Sequence, residues 1–221
     1  MVYYAVVEGF NPGVYDNWPA CAVEINRYNG AYYEEFYSAE EALDFLNQGG
    51  PVEYVFIDGA CRGNGMYETP EAGYGVYYGP YSHRNAAVPL WTVDPDMRPT
   101  NQRAELLALT HALANIELDL RNNSAERPVR IFSDSQYVVK SFNEWSEIWR
   151  NNGWKNKSGF TVTNFDLFWN ILVYKDLINQ EYEARGWYDI EICYVRGHCG
   201  NLANYQADRL ANRGADGEDF G

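Results

Sequence analysis

From Val52 onward, three apolar segments suited to strands, Val52 to Ala60, Ala72 to Tyr78 and Ala86 to Thr92, precede an alternation of helical and strand-like stretches. A helix over 101 to 120 carries Leu106, Leu109, Leu113 and Ile116 at helical spacing. A short strand Val129 to Phe132 follows, then helices over 134 to 152 and 164 to 184, a strand Tyr188 to Val195 and a helix Leu202 to Asn212. Adjacent strands pair as an antiparallel meander, whereas strands separated by helices return parallel. The order therefore predicts a mixed five-stranded α/β sheet with helices on its faces. At 221 residues, large solenoids and multi-domain machines are excluded, and no internal repeat or low-complexity tract is present. Gly73-Tyr74-Gly75 is not a nucleotide-binding glycine loop, because no helix follows it; its glycines are expected to permit close packing beside the first strand of this sheet.

Gln48-Gly49-Gly50-Pro51 is the clearest break, since two glycines and a proline end a helix and cannot continue a strand. It divides the chain into a module of residues 1–48, a linker 49–51 and a larger domain 52–221. In the module, Tyr3 to Val7 reads as a strand, Asn17 as the N-cap of a helix to Asn26, and Ala31 to Tyr37 as a second strand. Ser38-Ala39-Glu40-Glu41 is a capping box for a helix Ala39 to Asn47 that buries Ala42, Leu43, Phe45 and Leu46. This small α/β unit is near the lower size limit for independent stability.

Thirty-one acids against 17 bases give a net charge of −14, which argues against field-driven attraction to nucleic acid, so any such binding has to be local. Residues 1 to 50 hold eight acids against the single Arg27. Between Lys140 and Lys157 the sign reverses, with Lys140, Arg150, Lys155 and Lys157 against Glu144 and Glu147 and three tryptophans interleaved. Cys21, Cys61, Cys193 and Cys199 form no CxxC pair, so reduced thiols are expected rather than a zinc site or disulfides. No stretch approaches the roughly 18 apolar residues of a membrane span, and no positively charged leader opens the chain. A cytoplasmic protein with no membrane partner is expected.

Four acids intrude on apolar elements. Asp58 interrupts Val55-Phe56-Ile57, Glu105 lies in the first turns of a Leu/Ala helix, Asp134 ends Val129 to Ser133, and Asp208 sits inside the last helix. Each also has a plain structural reading: a turn at Asp58-Gly59, dipole compensation by Glu105, an N-cap at Asp134, and a pair between Asp208 and Arg209 or Arg213. Crowded together, carboxylates repel unless cations neutralise them, and hard oxygen ligands suit Mg²⁺ or Mn²⁺.

The flanks of these acids are Asp58-Gly59-Ala60-Cys61, Thr100 to Glu105, Ser133-Asp134-Ser135 and Gly197-His198-Cys199-Gly200, followed by Ala207-Asp208. In this order and spacing, over about residues 52 to 215, they resemble type 1 ribonuclease H. Tyr3 to Val6, Gly13 to Tyr15, Trp18 and Phe36 look like the small hybrid-binding domain at the amino terminus of many members of that family. The resemblance implies a ribonuclease H-like fold and hydrolysis of the RNA strand of RNA–DNA hybrids by two-metal catalysis, leaving 5′-phosphate and 3′-hydroxyl ends. It implies Asp58, Glu105, Asp134 and Asp208 as ligands of two Mg²⁺ ions, with Mn²⁺ able to substitute, and His198 as the titratable helper on a mobile loop.

By the same resemblance, Cys61, Arg62, Gly63, Asn64, Asn101 and Gln102 line the RNA strand, where amides can detect the 2′-hydroxyl. Arg98, Thr100 and Asn164 form a pocket for a DNA-strand phosphate, and Trp149 and Trp154 pack on that strand. Trp154, in the Gly153-Trp154-Lys155 loop, is expected to contact DNA, while Trp145 is expected in the core. Tyr4, Trp18 and Tyr33 match the aromatic contacts of the small domain, but Glu34-Glu35 stand where relatives carry lysines. That module is therefore expected to bind hybrid poorly and to stabilise the larger domain or dock a basic protein partner. A DNA nuclease on the same fold would leave Asn64 and Thr100 to Gln102 with no 2′-hydroxyl to read, and a non-enzymatic hybrid binder would require loss of a carboxylate.

Overall fold

The structure is a computed structural model that describes residues 1–48, 52–63 and 70–220. The linker 49–51 and Asn64 lie outside the described residues. In the amino-terminal module, β1 (Tyr3–Glu8) runs between β2 (Gly13–Tyr15) and β3 (Tyr32–Phe36), antiparallel to both. Helix α1 (Trp18–Ile25) starts at Asn17, whose side chain accepts from the Ala20 N–H at 2.9 Å. Helix α2 (Ala39–Gln48) buries Ala42, Leu43 and Leu46, with Phe45 only partly covered. Strand β2 has no counterpart in the sequence reading, because three residues are too few to display a period of two.

The larger sheet contains β4 (Glu53–Cys61), β5 (Ala72–Tyr77), β6 (Ala86–Pro89), β7 (Val129–Ser133) and β8 (Glu191–Tyr194) in the order β6-β5-β4-β7-β8. The pairs β4/β5 and β5/β6 are antiparallel, and β4/β7 and β7/β8 are parallel. This is the mixed five-stranded sheet expected from the order of elements. Three boundaries need correction. The last strand, expected from Tyr188, begins only at Glu191. The segment Ala86 to Thr92 leaves the sheet at Pro89, which has no N–H to donate, and turns into α3 (Leu90–Val93). The single helix expected over 134 to 152 is α5 (Gln136–Lys140), a π-helical turn (Ser141–Trp145) and α6 (Ser146–Asn151). Near this wide turn the Phe142 carbonyl accepts from Lys175 Nζ at 3.1 Å and from the Ser146 hydroxyl at 3.3 Å.

Alternation along β4 divides its side chains between two cores. Val55 and Ile57 pack with Leu106, Leu109, Leu113 and Ile116 of α4 (Asn101–Arg121) and with Phe168 and Ile171 of α7 (Phe165–Ala184). Tyr54 and Phe56 join Phe132, Ala203 and Ala207 of α8 (Leu202–Ala215), and Ala5, Val7, Val14, Leu43 and Leu46 of the amino-terminal module. The Tyr54 hydroxyl donates to Val7 O at 2.7 Å, and Arg127 donates to Asn47 O. The module and α8 together thus cover the second face of the large sheet. The glycines of β5 lie beside the first strand of the sheet, Gly75 opposite Asp58 and Gly73 opposite Ala60, and they also admit α8: a Cβ at Gly75 would lie 2.4 Å from Ala207 O and 2.6 Å from Ala211 N. That close approach seats α8 on the sheet beside Asp58. Among the described residues, no helix is long and apolar enough to cross a membrane.

Candidate active site

Asp58 lies two residues beyond Phe56 in β4, so strand alternation keeps it on the face covered by α8. Gly59 serves the opposite face, where a Cβ would lie 2.4 Å from Glu105 N and 2.7 Å from Ala104 C. Only glycine lets the start of α4 close on β4 and bring Glu105 alongside Asp58. Asp134 directly follows β7, one strand away, where Ser133 pairs with Ile57. Asp208 comes from α8, one residue after the buried Ala207.

The plain structural readings of three of these acids do not hold. Asp58-Gly59 is mid-strand, not a turn. Ser135, not Asp134, caps α5, accepting from Val138 N at 3.4 Å. Arg209 and Arg213 bond Gln206 and Glu218, leaving Asp208 to accept from Asn212 Nδ2 at 3.0 Å. Glu105 accepts from Asn101 Nδ2 at 2.6 Å and from the Ser135 hydroxyl, and Asp134 accepts from Asn204 Nδ2 at 3.3 Å.

Burial pushes the Asp58 carboxyl up to about 8, and the charges of Asp134, Asp208 and Glu105 add to the rise against the opposing Gly59 N–H donation. Glu105 is pushed up to about 7 by burial and by Asp134, against the Ser135 hydrogen bond. Among the described residues, none of the four acids has an arginine or lysine ion-pair partner. No three His, Cys, Asp or Glu side chains of the described residues converge as a ready-made ligand cage. Glu105, Asp134 and Asp208 each rest on separate amide or hydroxyl donors. An all-oxygen, mutually repelling donor set is the kind that Mg²⁺ fits.

His198 is exposed on the loop before α8, with a φ of 53°. The loop lies against the site, since a Cβ at Gly197 would sit 2.6 Å from Asp134 Oδ2. His111, for which the sequence suggests no partner, meets the Tyr74 hydroxyl at 3.0 Å through Nδ1, and burial lowers its pKa.

The expected strand contacts are placed unevenly. Cys61 ends β4, where the Arg98 charge reaches its thiol. Arg62 is paired with Asp216 and, at 3.7 Å, with Glu71, so much of its charge is already matched; Gly63 follows with a φ of 64°. Asn101 and Gln102 open α4, with Gln102 exposed. The Thr100 hydroxyl caps that helix, accepting from Arg103 N at 3.2 Å. Asn164 holds a left-handed φ of 61°, and its Oδ1 accepts from Arg103 Nη1 at 3.2 Å. Trp149 is half-buried and lines a surface pocket with Trp145, Lys155 and Lys157.

Trp154 corrects the expectation of a loop contact, and Trp145, placed in the core from sequence, is only partly buried. Trp154 is 8% exposed and packs on Phe165 and Trp169, with ring centroids at 5.0 and 6.2 Å. Apolar neighbours from α7 lie where the loop returns, and the ring gains more from them than from solvent. Trp154→Ala is therefore expected to cost about 3–5 kcal/mol of stability, and Trp149→Ala much less. Chemical denaturation of both variants checks this, and equal losses would contradict the assignment.

In the module, Tyr4, Trp18 and Tyr33 do come together: Trp18 lies 5.4 Å from Tyr4 and 5.7 Å from Tyr33, and is 44% exposed. Glu35 pairs across from Tyr4 in the sheet. Reasoning from sequence missed Ser135 and Asn204, which hold the carboxylates, and Arg103. Arg103 is buried and binds Asp94 at 2.6 Å and Asp166 at 2.7 Å, tying the start of α4 to that of α7. Its position three residues before Leu106, in the apolar stripe, was the available signal.

A mixed five-stranded sheet with Asp58 in β4, Asp134 just after the adjacent β7, and Glu105 and Asp208 in helices on opposite faces has the architecture of a ribonuclease H-like nuclease. The RNase H family model matches residues 51–216, and the model described as the Ribonuclease H1 N-terminal domain matches residues 2–46. The chain belongs to the RNase H family and is a ribonuclease H, a hydrolase, with an amino-terminal hybrid-binding-type module. It is 36% identical to Ribonuclease H of Pseudomonas aeruginosa, over 72% of this chain and 90% of that one. Ribonuclease H1 of Homo sapiens is 26% identical, over 97% of this chain and 89% of the human protein. Among solved structures, LC9-RNase H1, a type 1 RNase H with the type 2 active-site motif, matches with a TM-score of 0.51 at 26% identity, over 76% of this chain and 75% of that chain. The foamy viral protease-reverse transcriptase in complex with RNA/DNA hybrid shares the fold with a TM-score of 0.54 at 22% identity, over 76% of this chain and 20% of the viral one.

Proposed function

We propose that this ribonuclease H cuts the RNA strand of RNA–DNA hybrids at the acidic site, with Asp58, Glu105, Asp134 and Asp208 holding two Mg²⁺ ions, for which Mn²⁺ can substitute. The observation that carries this reading is a buried carboxylate among like charges: burial, reinforced by Asp134, Asp208 and Glu105, lifts Asp58 to about 8, and among the described residues no side-chain cation pairs with it. Bound there, the ions would stabilise charge on the scissile phosphate and activate a water, leaving a 3′-hydroxyl and a 5′-phosphate. Asn101 and Ser135 orient Glu105, Asn204 orients Asp134, and His198 moves a proton or assists product release from its exposed loop.

For the substrate, Asn101, Gln102 and Asn64, with the chain from Cys61 to Gly63, line the RNA strand and read its 2′-hydroxyls. Arg98, Thr100 and Asn164 receive a DNA-strand phosphate, and Trp149 beside Lys155 and Lys157 continues that track. In the module of residues 1–48, the Tyr4–Trp18–Tyr33 cluster keeps the aromatic part of a hybrid contact, but Glu35 beside it repels phosphate. Its main task is structural support of domain 52–221, with its acidic surface left for a basic protein partner. Incubation with hybrid, duplex DNA and duplex RNA tests the reading: only the RNA strand of the hybrid should be cut. Cleavage of duplex DNA would indicate a DNA nuclease, and hybrid binding without cleavage would indicate a dead site.

A further inference from the structure

We propose that the amino-terminal module holds the His198 loop in its working position through Asn201, a positioning residue that touches neither substrate nor metal; the proposal rests on the role given above to His198. Asn201 is buried and ties two units together. Its Oδ1 caps α8, accepting from Ala203 N at 3.1 Å and Asn204 N at 3.4 Å. Its Nδ2 donates to Pro12 O in the module at 3.2 Å, and its backbone bridges to Tyr15 of β2. Strand β2 is itself fixed by Val14 in the core shared with the large sheet.

Three residues earlier stands His198, in a left-handed conformation that a non-glycine residue keeps only where surrounding structure imposes it. On either side of the Asn201 anchor, Gly197 lies against the Asp134 carboxylate and Asn204 donates to it. The loop that carries the proton-moving group is thus anchored at its far end by a part of the chain that contributes no catalytic group. Releasing that end lets His198 drift, and misplacement by about 1 Å costs up to 10²-fold in rate.

Asn201→Ser isolates the contact, because serine retains a capping oxygen for α8 but has no amide to donate to Pro12. In the full-length protein, kcat on a hybrid is expected to fall about tenfold with KM within twofold, and hydrogen exchange should quicken at residues 197–201 while that of β1 and α8 is unchanged. His198→Ala alone should lose about 10²-fold, and the double variant should be no slower, because Asn201 acts through His198. Fully additive losses, or wild-type kcat and exchange in Asn201→Ser, would overturn the proposal. A wild-type rate in His198→Ala would instead remove the role of His198, and that failure is distinguishable because exchange at 197–201 would still rise in Asn201→Ser.

Discussion

Asp58→Asn is expected to lower hybrid cleavage by at least about 10³-fold while leaving hybrid affinity within a few-fold, because it removes charge that the proposed metal ions would require and no strand contact. Asp134→Asn should do the same. The same carboxylate also leaves a mark on stability. In the fold Asp58 is pushed up to about 8, whereas in the unfolded chain it ionises near 4. Between those values the folded state binds more protons than the unfolded one, so the ion-free protein should lose stability as pH rises from about 4 to about 8. Mg²⁺ added at pH 8 should raise the Tm by roughly 5 °C or more, and Asp58→Asn should gain less from the metal and vary less with pH. Turnover within tenfold of wild type, or a Tm indifferent to Mg²⁺, would remove Asp58 from the site.

Deleting residues 1–48 is expected to damage the protein far more than loss of a tethered binding module would. Ala5, Val7, Val14, Leu43 and Leu46 share one core with Tyr54, Phe56, Phe132 and Val195, so deletion exposes three large aromatic side chains on the sheet. The truncated domain should aggregate or lose its cooperative melt. A milder form of the same test is Leu46→Ala, a fully buried position in that core. It should cost about 2–5 kcal/mol, or roughly 5–15 °C in Tm. A soluble truncated domain with the Tm of the full chain would show that the module is an independent lobe.

How much of this was legible in the chain follows from the range of the forces involved. Helix α4, with Thr100 as its cap and leucines at helical spacing, and the strands around Val55 and Ile131 are encoded within a few residues, and the order of elements fixes a mixed sheet. The four carboxylates stand out because each breaks an apolar pattern. Trp154 does not: a glycine-flanked tryptophan beside a lysine looks exposed until Phe165 and Trp169 are brought over it from α7. Strand β2 is too short for a periodic signal, and it acquires its role only from Asn201, almost two hundred residues away in sequence. The shared core is hidden for a related reason. Tyr54 and Phe56 show that β4 has a second apolar face, but nothing local says whether α8 alone or α8 with the module covers it.

Metal-dependent hydrolysis of RNA within a hybrid is tested most directly by incubating the full chain with a hybrid end-labelled on its RNA strand, in Mg²⁺ and in EDTA, and identifying the product ends. Cleavage only in Mg²⁺, with 5′-phosphate and 3′-hydroxyl ends, is the expected result. Cleavage in EDTA, or 2′,3′-cyclic phosphate ends from attack by the RNA's own 2′-hydroxyl, would contradict it.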